Sequence, residues 1–194
     1  IFAETLHQTI LLPHPHKHLV FTVPKRIRPY FKYDRKLFKL FYKSAWDAWR
    51  WYVEGLLPAG TSGAVMSLHT AGDLLNFHPH VHSLVLPGVI TPSGEYQELP
   101  EIDTELLTEL FQEKVLNAFL ERDLLSLDDV NLMKSWSHSG FNVWVGEDIL
   151  PEEEEERLFV SRYLVKCPLS LERLEILDDE RVSYSAKDSR EGEM

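Results

Sequence analysis

Residues 63–86 read Gly63-Ala-Val-Met-Ser-Leu-His-Thr-Ala-Gly-Asp-Leu-Leu-Asn-Phe-His-Pro-His-Val-His-Ser-Leu-Val-Leu86. Two β-prone runs, Gly63 to Thr70 and Val81 to Leu86, flank a connector from Ala71 to Pro79 that carries Gly72, Asp73, Asn76 and Pro79. Those are loop residues, so the stretch reads as a hairpin. Along a strand, residues i and i+2 share a face. His80 and His82 therefore project side by side, while Val81 points into the packed layer. Two neutral imidazoles on one face make half of a metal site. A hairpin would bring His69, at the end of the preceding strand, beside His80 as a third ligand; Asp73 and His78 are the loop alternatives. With no cysteine nearby, the donor set is imidazole plus carboxylate and water. That set suits Mg, Mn or Zn and leaves positions open for a substrate oxygen.

Outward from this hairpin, His18 to Pro24 is a short β-rich run closed by proline. Tyr33 to Glu54 has apolar residues at three- and four-residue steps, which predicts an amphipathic helix capped by Asp34 and stopped at Gly55. Asp103 to Leu120 reads as a second such helix, Phe141 to Val145 as a half-buried strand, and Glu152 to Lys166 as a helix whose acidic first turn suits the macrodipole. Leu174–Leu177 and Arg181–Ser185 suggest a closing hairpin. The order β-α-β-β-α-β, then a helix and a hairpin, predicts an α+β fold: helices packed on a mostly antiparallel sheet, of split βαβ, ferredoxin-like type. The expected organisation is an extension over 1–17, one domain over 18–188 and a disordered tail over 189–194.

The chain has 194 residues, 44% of them hydrophobic and 26% charged, which excludes fibrous and wholly disordered classes. No apolar run is long enough to span a bilayer, and Ile1 to Leu12 lacks the basic start of a secretory signal. The single cysteine, Cys167, fits a reducing compartment and excludes a zinc site built from several cysteines of this chain. A cytoplasmic location is expected. Starting at Ile1 suggests a fragment or a processed chain.

The net charge of −11 is unevenly spread: residues 1–55 hold ten lysines and arginines against four acids, and residues 56–113 hold no lysine or arginine. In the basic quarter, Lys25, Arg26, Arg28, Lys32, Arg35 and Lys36 could neutralise phosphates, and Tyr30, Phe31 and Tyr33 could stack on unpaired bases. The same aromatics could instead pack a helix start. Trp46, Trp49 and Trp51 read as core, and His14-Pro-His16 as loop.

The segment from His69 to His82 resembles the metal-binding motif of two-tyrosine HUH transposases, the enzymes of rolling-circle insertion sequences, with Val81 as the bulky hydrophobe between the histidines. Val20 to Arg28 with Tyr30-Phe31, His138 to Val143, Arg162 to Arg173 and Val182 to Tyr184 are similar to further blocks of that family, so the resemblance covers most of residues 18–188. It implies His80 and His82 as metal ligands with His69 third, Asp73 and His78 remaining open, and Mg2+ or Mn2+ as the cation. It implies single-stranded DNA at transposon ends as partner, with no membrane and no nucleotide cofactor. It also implies nicking and rejoining by metal-assisted tyrosine transesterification. The family's nucleophilic tyrosines are expected in a helix beyond Met194; Tyr163 and Tyr184 read as packing. The alternatives are a non-catalytic DNA-binding remnant of such an enzyme and an unrelated metal-dependent hydrolase.

Overall fold

The computed structural model describes residues 2–72, 75–166, 173–178 and 181–185. Asp73, Cys167 and the expected tail 189–194 lie outside them.

Four strands form the central sheet: β1 (His16–Thr22), β2 (Ala64–Ala71), β3 (Phe77–Val85) and β6 (Asn142–Ile149), in the order β2-β3-β1-β6 with every pair antiparallel. Short hairpins are made by β4 (Gly88–Ile90) with β5 (Tyr96–Glu98) and by β7 (Leu174–Asp178) with β8 (Arg181–Tyr184). The helices are α1 (Phe2–Thr5), continued by a π-helical turn Leu6–Ile10, then α2 (Arg28–Tyr33), α3 (Phe38–Leu56), α4 (Thr104–Leu120), α5 (Leu127–Lys134) and α6 (Glu154–Leu164). The expected α+β architecture on an antiparallel sheet is thus the one observed.

One face of the sheet is closed by α3 and α4. Strand residues Leu19, Phe21, Val81, Val85 and Val143 meet Phe41, Ala45, Trp49, Phe111 and Val115 in one core. Phe111 stands edge-on to Phe21 at 5.1 Å and to Phe141 at 5.8 Å. The opposite face is covered only in part. Leu6, Leu84, Ile149, Val160 and Leu164 form a smaller cluster beneath the N-terminal segment and α6. Arg157 of α6 donates from Nη2 to the carbonyl oxygen of Leu12 at 3.1 Å, tying that segment to the helix. The histidine end of the second face lies at the edge of this cover, against the last turn of α6.

Several boundaries differ from expectation. The helix expected over Tyr33 to Glu54 is split. Pro29 near the first position suits a helix start, so α2 begins at Arg28. Asp34 is extended (φ −127°) and its side chain accepts from the Lys36 N–H, capping a 3-10 turn Arg35–Leu37 rather than α3. Helix α3 runs through Gly55 and ends before Leu57 and Pro58. Strand β3 begins four residues before Val81 because a bulge accommodates Pro79: the ladder steps from His69↔His80 to Ala71↔Phe77, so two residues of β3 oppose Thr70. His16 opens β1 and is buried, although it was expected in a loop. β4, β5 and α5 lie outside the expected order, although a capping box of Ser126 and Asp129 announces the last. Asp103 caps α4 as expected, accepting from the Leu106 N–H at 3.0 Å.

Candidate metal centre

Antiparallel register places the histidines. His69 is the Cα partner of His80, and Ser67 that of His82. On the other side of β3, Thr22 pairs with His80 and Val20 with His82, and Val20 in turn pairs with Trp144 of β6. His69, His80 and His82 share the partly covered face, and one nitrogen from each lies within 4.8 Å of the others. Of the expected third ligands, His69 completes this cluster. His78 stands beside it, its ring 5.2 Å from that of His80. Asp73 is outside the described residues.

Each ring has a second contact. His80 Nδ1 donates to the carbonyl of His78 at 2.7 Å, and His69 Nε2 to the carbonyl of Leu164 at 3.3 Å. His82 Nδ1 lies 2.9 Å from Nε2 of His18. The other nitrogen of His82, Nε2, is buried without a hydrogen-bond partner.

The electrostatics keep these rings neutral. Burial, reinforced by the neighbouring His69, His80 and His18, pushes His82 down to about 2. Burial lowers His80 and His69 as well, against the opposing effect of their backbone hydrogen bonds. His18 is held at about 4, by burial first and then by His69. Imidazoles must be neutral to ligate, and here the fold has already expelled the competing protons. Three neutral imidazoles with an orphaned buried nitrogen among them fit a divalent cation.

Besides His18, two residues not assigned to the site from sequence lie against it. Tyr163, 36% exposed in the last turn of α6, has its ring 5.0 Å from His82, 5.8 Å from His69 and 5.9 Å from His18. Trp144, 51% exposed, stands edge-on to His18 at 5.6 Å. The alternation His16, His18, Val20, Thr22 could have placed His18 on the histidine face. Nothing local in α6 announces where Tyr163 lands.

The basic segment is more dispersed. Lys25, Lys32 and Arg35 are exposed. Arg26 pairs with Asp129 at 2.7 Å. Arg28, half-buried, donates from Nε to the Val23 carbonyl at 3.1 Å, and its charge contributes to lowering His78 and His80, so it lies at the metal end of the sheet. Tyr30 is half-buried edge-on to Phe119, and Phe31 is fully buried; of the three candidate stacking rings only Tyr33 is exposed. Trp49 is core and Trp46 packs against it, while Trp51 is exposed beneath the Lys114 ammonium.

Comparisons with known proteins give the family of the chain. Over 86 residues, 44% of this chain, it is 38% identical to the "Transposase for insertion sequence element IS801" of Pseudomonas savastanoi pv. phaseolicola. The match spans 20% of that transposase's length. No solved structure matches. No helix among the described residues is long and apolar enough to cross a membrane. Residues 63–194 match the Y2_Tnp family model, described as "Putative transposase", and the match takes in the histidine hairpin, β6 and α6. The chain therefore belongs to the Y2 transposase family of rolling-circle insertion sequences.

Proposed function

We propose that this chain is the metal-bearing catalytic core of a transposase that nicks and rejoins single-stranded DNA at transposon ends, with Tyr163 as the nucleophile. The observation that carries this reading is the position of the Tyr163 ring against the three-histidine cluster. The other position for the nucleophile, a helix beyond Met194, lies outside these 194 residues.

His69, His80 and His82 would hold Mg2+ or Mn2+, which supplies Lewis-acid polarisation of the scissile phosphate. The Tyr163 phenol oxygen attacks phosphorus, forming a Tyr–O–P bond to the 5′ phosphate as its proton passes to water. The P–O3′ bond breaks, and the departing oxygen takes a proton to become a free 3′ hydroxyl. The phosphotyrosine retains the energy of the broken bond, so rejoining needs no nucleotide cofactor. Arg28, at the metal end of the sheet, offers a cation to a flanking phosphate. Such DNA is met in the bacterial cytoplasm.

The test is a pool of 3′-labelled single-stranded oligonucleotides incubated with the chain and Mn2+, then resolved under denaturing conditions. The label is expected to migrate with the protein and map to Tyr163, and to be lost in Tyr163→Phe. A chain that binds Mn2+ yet forms no adduct would overturn Tyr163 as nucleophile and favour a DNA-binding remnant.

A further inference from the structure

We infer that His18 is a positioning residue for the metal centre: it accepts the Nδ1–H of His82 and so leaves the Nε2 lone pair of His82 free for the cation. This rests on the reading that the three histidines bind a metal.

Each neutral ring has a single proton to donate. A carbonyl oxygen only accepts. His80 against the His78 carbonyl must therefore carry its proton on Nδ1, and His69 against the Leu164 carbonyl must carry its own on Nε2. Each ring spends its donor away from its partners in the cluster. His82 has no carbonyl. Its neighbour, 2.9 Å away, is another imidazole, which can donate or accept. If His18 donated, His82 would carry its proton on Nε2, which is buried with no hydrogen-bond partner. That would leave an orphaned donor, a state folded proteins avoid. If His18 accepts, Nε2 presents a lone pair instead.

The surroundings hold His18 in place. On β1 it sits opposite a bulge: the ladder with β6 steps from Lys17↔Asp148 to Leu19↔Val145. Gly146, within that bulge, comes so close that a Cβ there would stand 3.2 Å from the His18 carbonyl and 2.9 Å from Trp144. The His18 ring stacks on His82 at 5.1 Å and meets Trp144 and Tyr163 edge-on. Outer partners of ligating histidines fix tautomer and ring plane. Here two are backbone carbonyls and the third is a side chain, hence the one open to substitution.

The experiment pairs calorimetric titration with Mn2+ alone and 15N spectra of the histidine rings in metal-free protein. His18→Phe keeps a ring but no acceptor; His18→Gln restores an acceptor at similar reach. We expect His18→Phe to weaken Mn2+ binding by about 10-fold or more and His18→Gln by less than about threefold. The wild-type spectrum should show His82 protonated on Nδ1. Equal affinities for wild type and His18→Phe, a His18→Gln variant as weak as His18→Phe, or His82 protonated on Nε2 would each overturn the inference. If wild type takes up no Mn2+, the metal reading itself falls, and the tautomer of His82 still decides whether His18 accepts. The spectrum needs no variant, so it stands even if His18→Phe fails to fold.

Discussion

The ring of Tyr163 lies 5.0 Å from that of His82, at the boundary between α6 and the open part of the sheet. The next residue, Leu164, gives its carbonyl to His69. One helix end thus supports a proposed metal ligand and carries the proposed nucleophile, and the packing of α6 sets both.

Shortening the buried anchor of that helix should therefore act twice. Leu164 is 1% exposed within the cluster of Leu6, Leu84, Ile149 and Val160. Leu164→Ala is expected to cost about 2–5 kcal/mol in urea unfolding. It should also weaken Mn2+ binding, because the helix end shifts against His69. A variant that loses stability but binds Mn2+ like wild type would separate the helix from the metal centre.

The proposed metal site predicts a clear loss. His80→Ala with His82→Ala should abolish Mn2+ binding by calorimetry while circular dichroism stays near native, because both side chains leave the face opposite the main core. Binding should weaken as pH falls, since protons compete for the ligating nitrogens. Burial lowers all three pKa values, His82 to about 2. Affinity should therefore hold between pH 7.5 and 6.5 and decline only below the ordinary histidine value. An onset of loss well above pH 6.5 would show that the rings are not desolvated in solution.

The stability of the fold should also depend on histidine protonation. Burial, then the charge of Arg157, pushes His16 down to about 4. Above about pH 6.5 the group is neutral both folded and unfolded and adds no pH dependence. As pH falls from about 6.5 towards 4, the unfolded chain takes up a proton that the fold refuses, and stability is lost across that window. The loss from this one group is about 1 kcal/mol between pH 7.5 and 5.5. His16→Gln should flatten that part of the curve, read from urea midpoints at the two pH values. An unchanged drop would remove His16 from the account.

The central sheet and the hairpin ligands were legible because both follow from period and register, which are local. His80 and His82 share a face by the two-residue repeat, and His69 joins them through the ladder that the loop dictates. The split of the first long helix was not legible: the apolar spacing runs through Asp34, and only the start favoured at Pro29 and the turn capped by Asp34 divide it. Tyr163 was missed for a different reason. It reaches the site only because α6 docks on the sheet through Val160 and Leu164, a tertiary fact with no signature in its own segment. Tyr30, one of the rings expected to stack on bases, packs edge-on against Phe119, which its spacing did not decide.

That packing bears on where DNA would be held, which can be tested. Lys25, Lys32 and Arg35 are exposed, whereas Arg26 is engaged by Asp129. If each of the three exposed cations meets a phosphate, changing all to Ala should flatten the salt dependence of single-strand binding by about 2 units. Stacking should reside elsewhere. Trp144 is half-exposed, shares a row with Val20 and His82, and lies beside the proposed chemistry. Trp144→Ala should weaken binding by about 1–3 kcal/mol with the slope unchanged. Tyr30→Ala should instead lower folding stability, since its ring meets Phe119, and leave the affinity of the folded fraction near wild type. Fluorescence anisotropy of a labelled single-stranded oligonucleotide across salt concentrations reads both quantities. An unaltered slope in the triple variant would remove the basic segment from the interface. A Trp144→Ala affinity equal to wild type, with Tyr30→Ala weakened, would return the stacking site to α2.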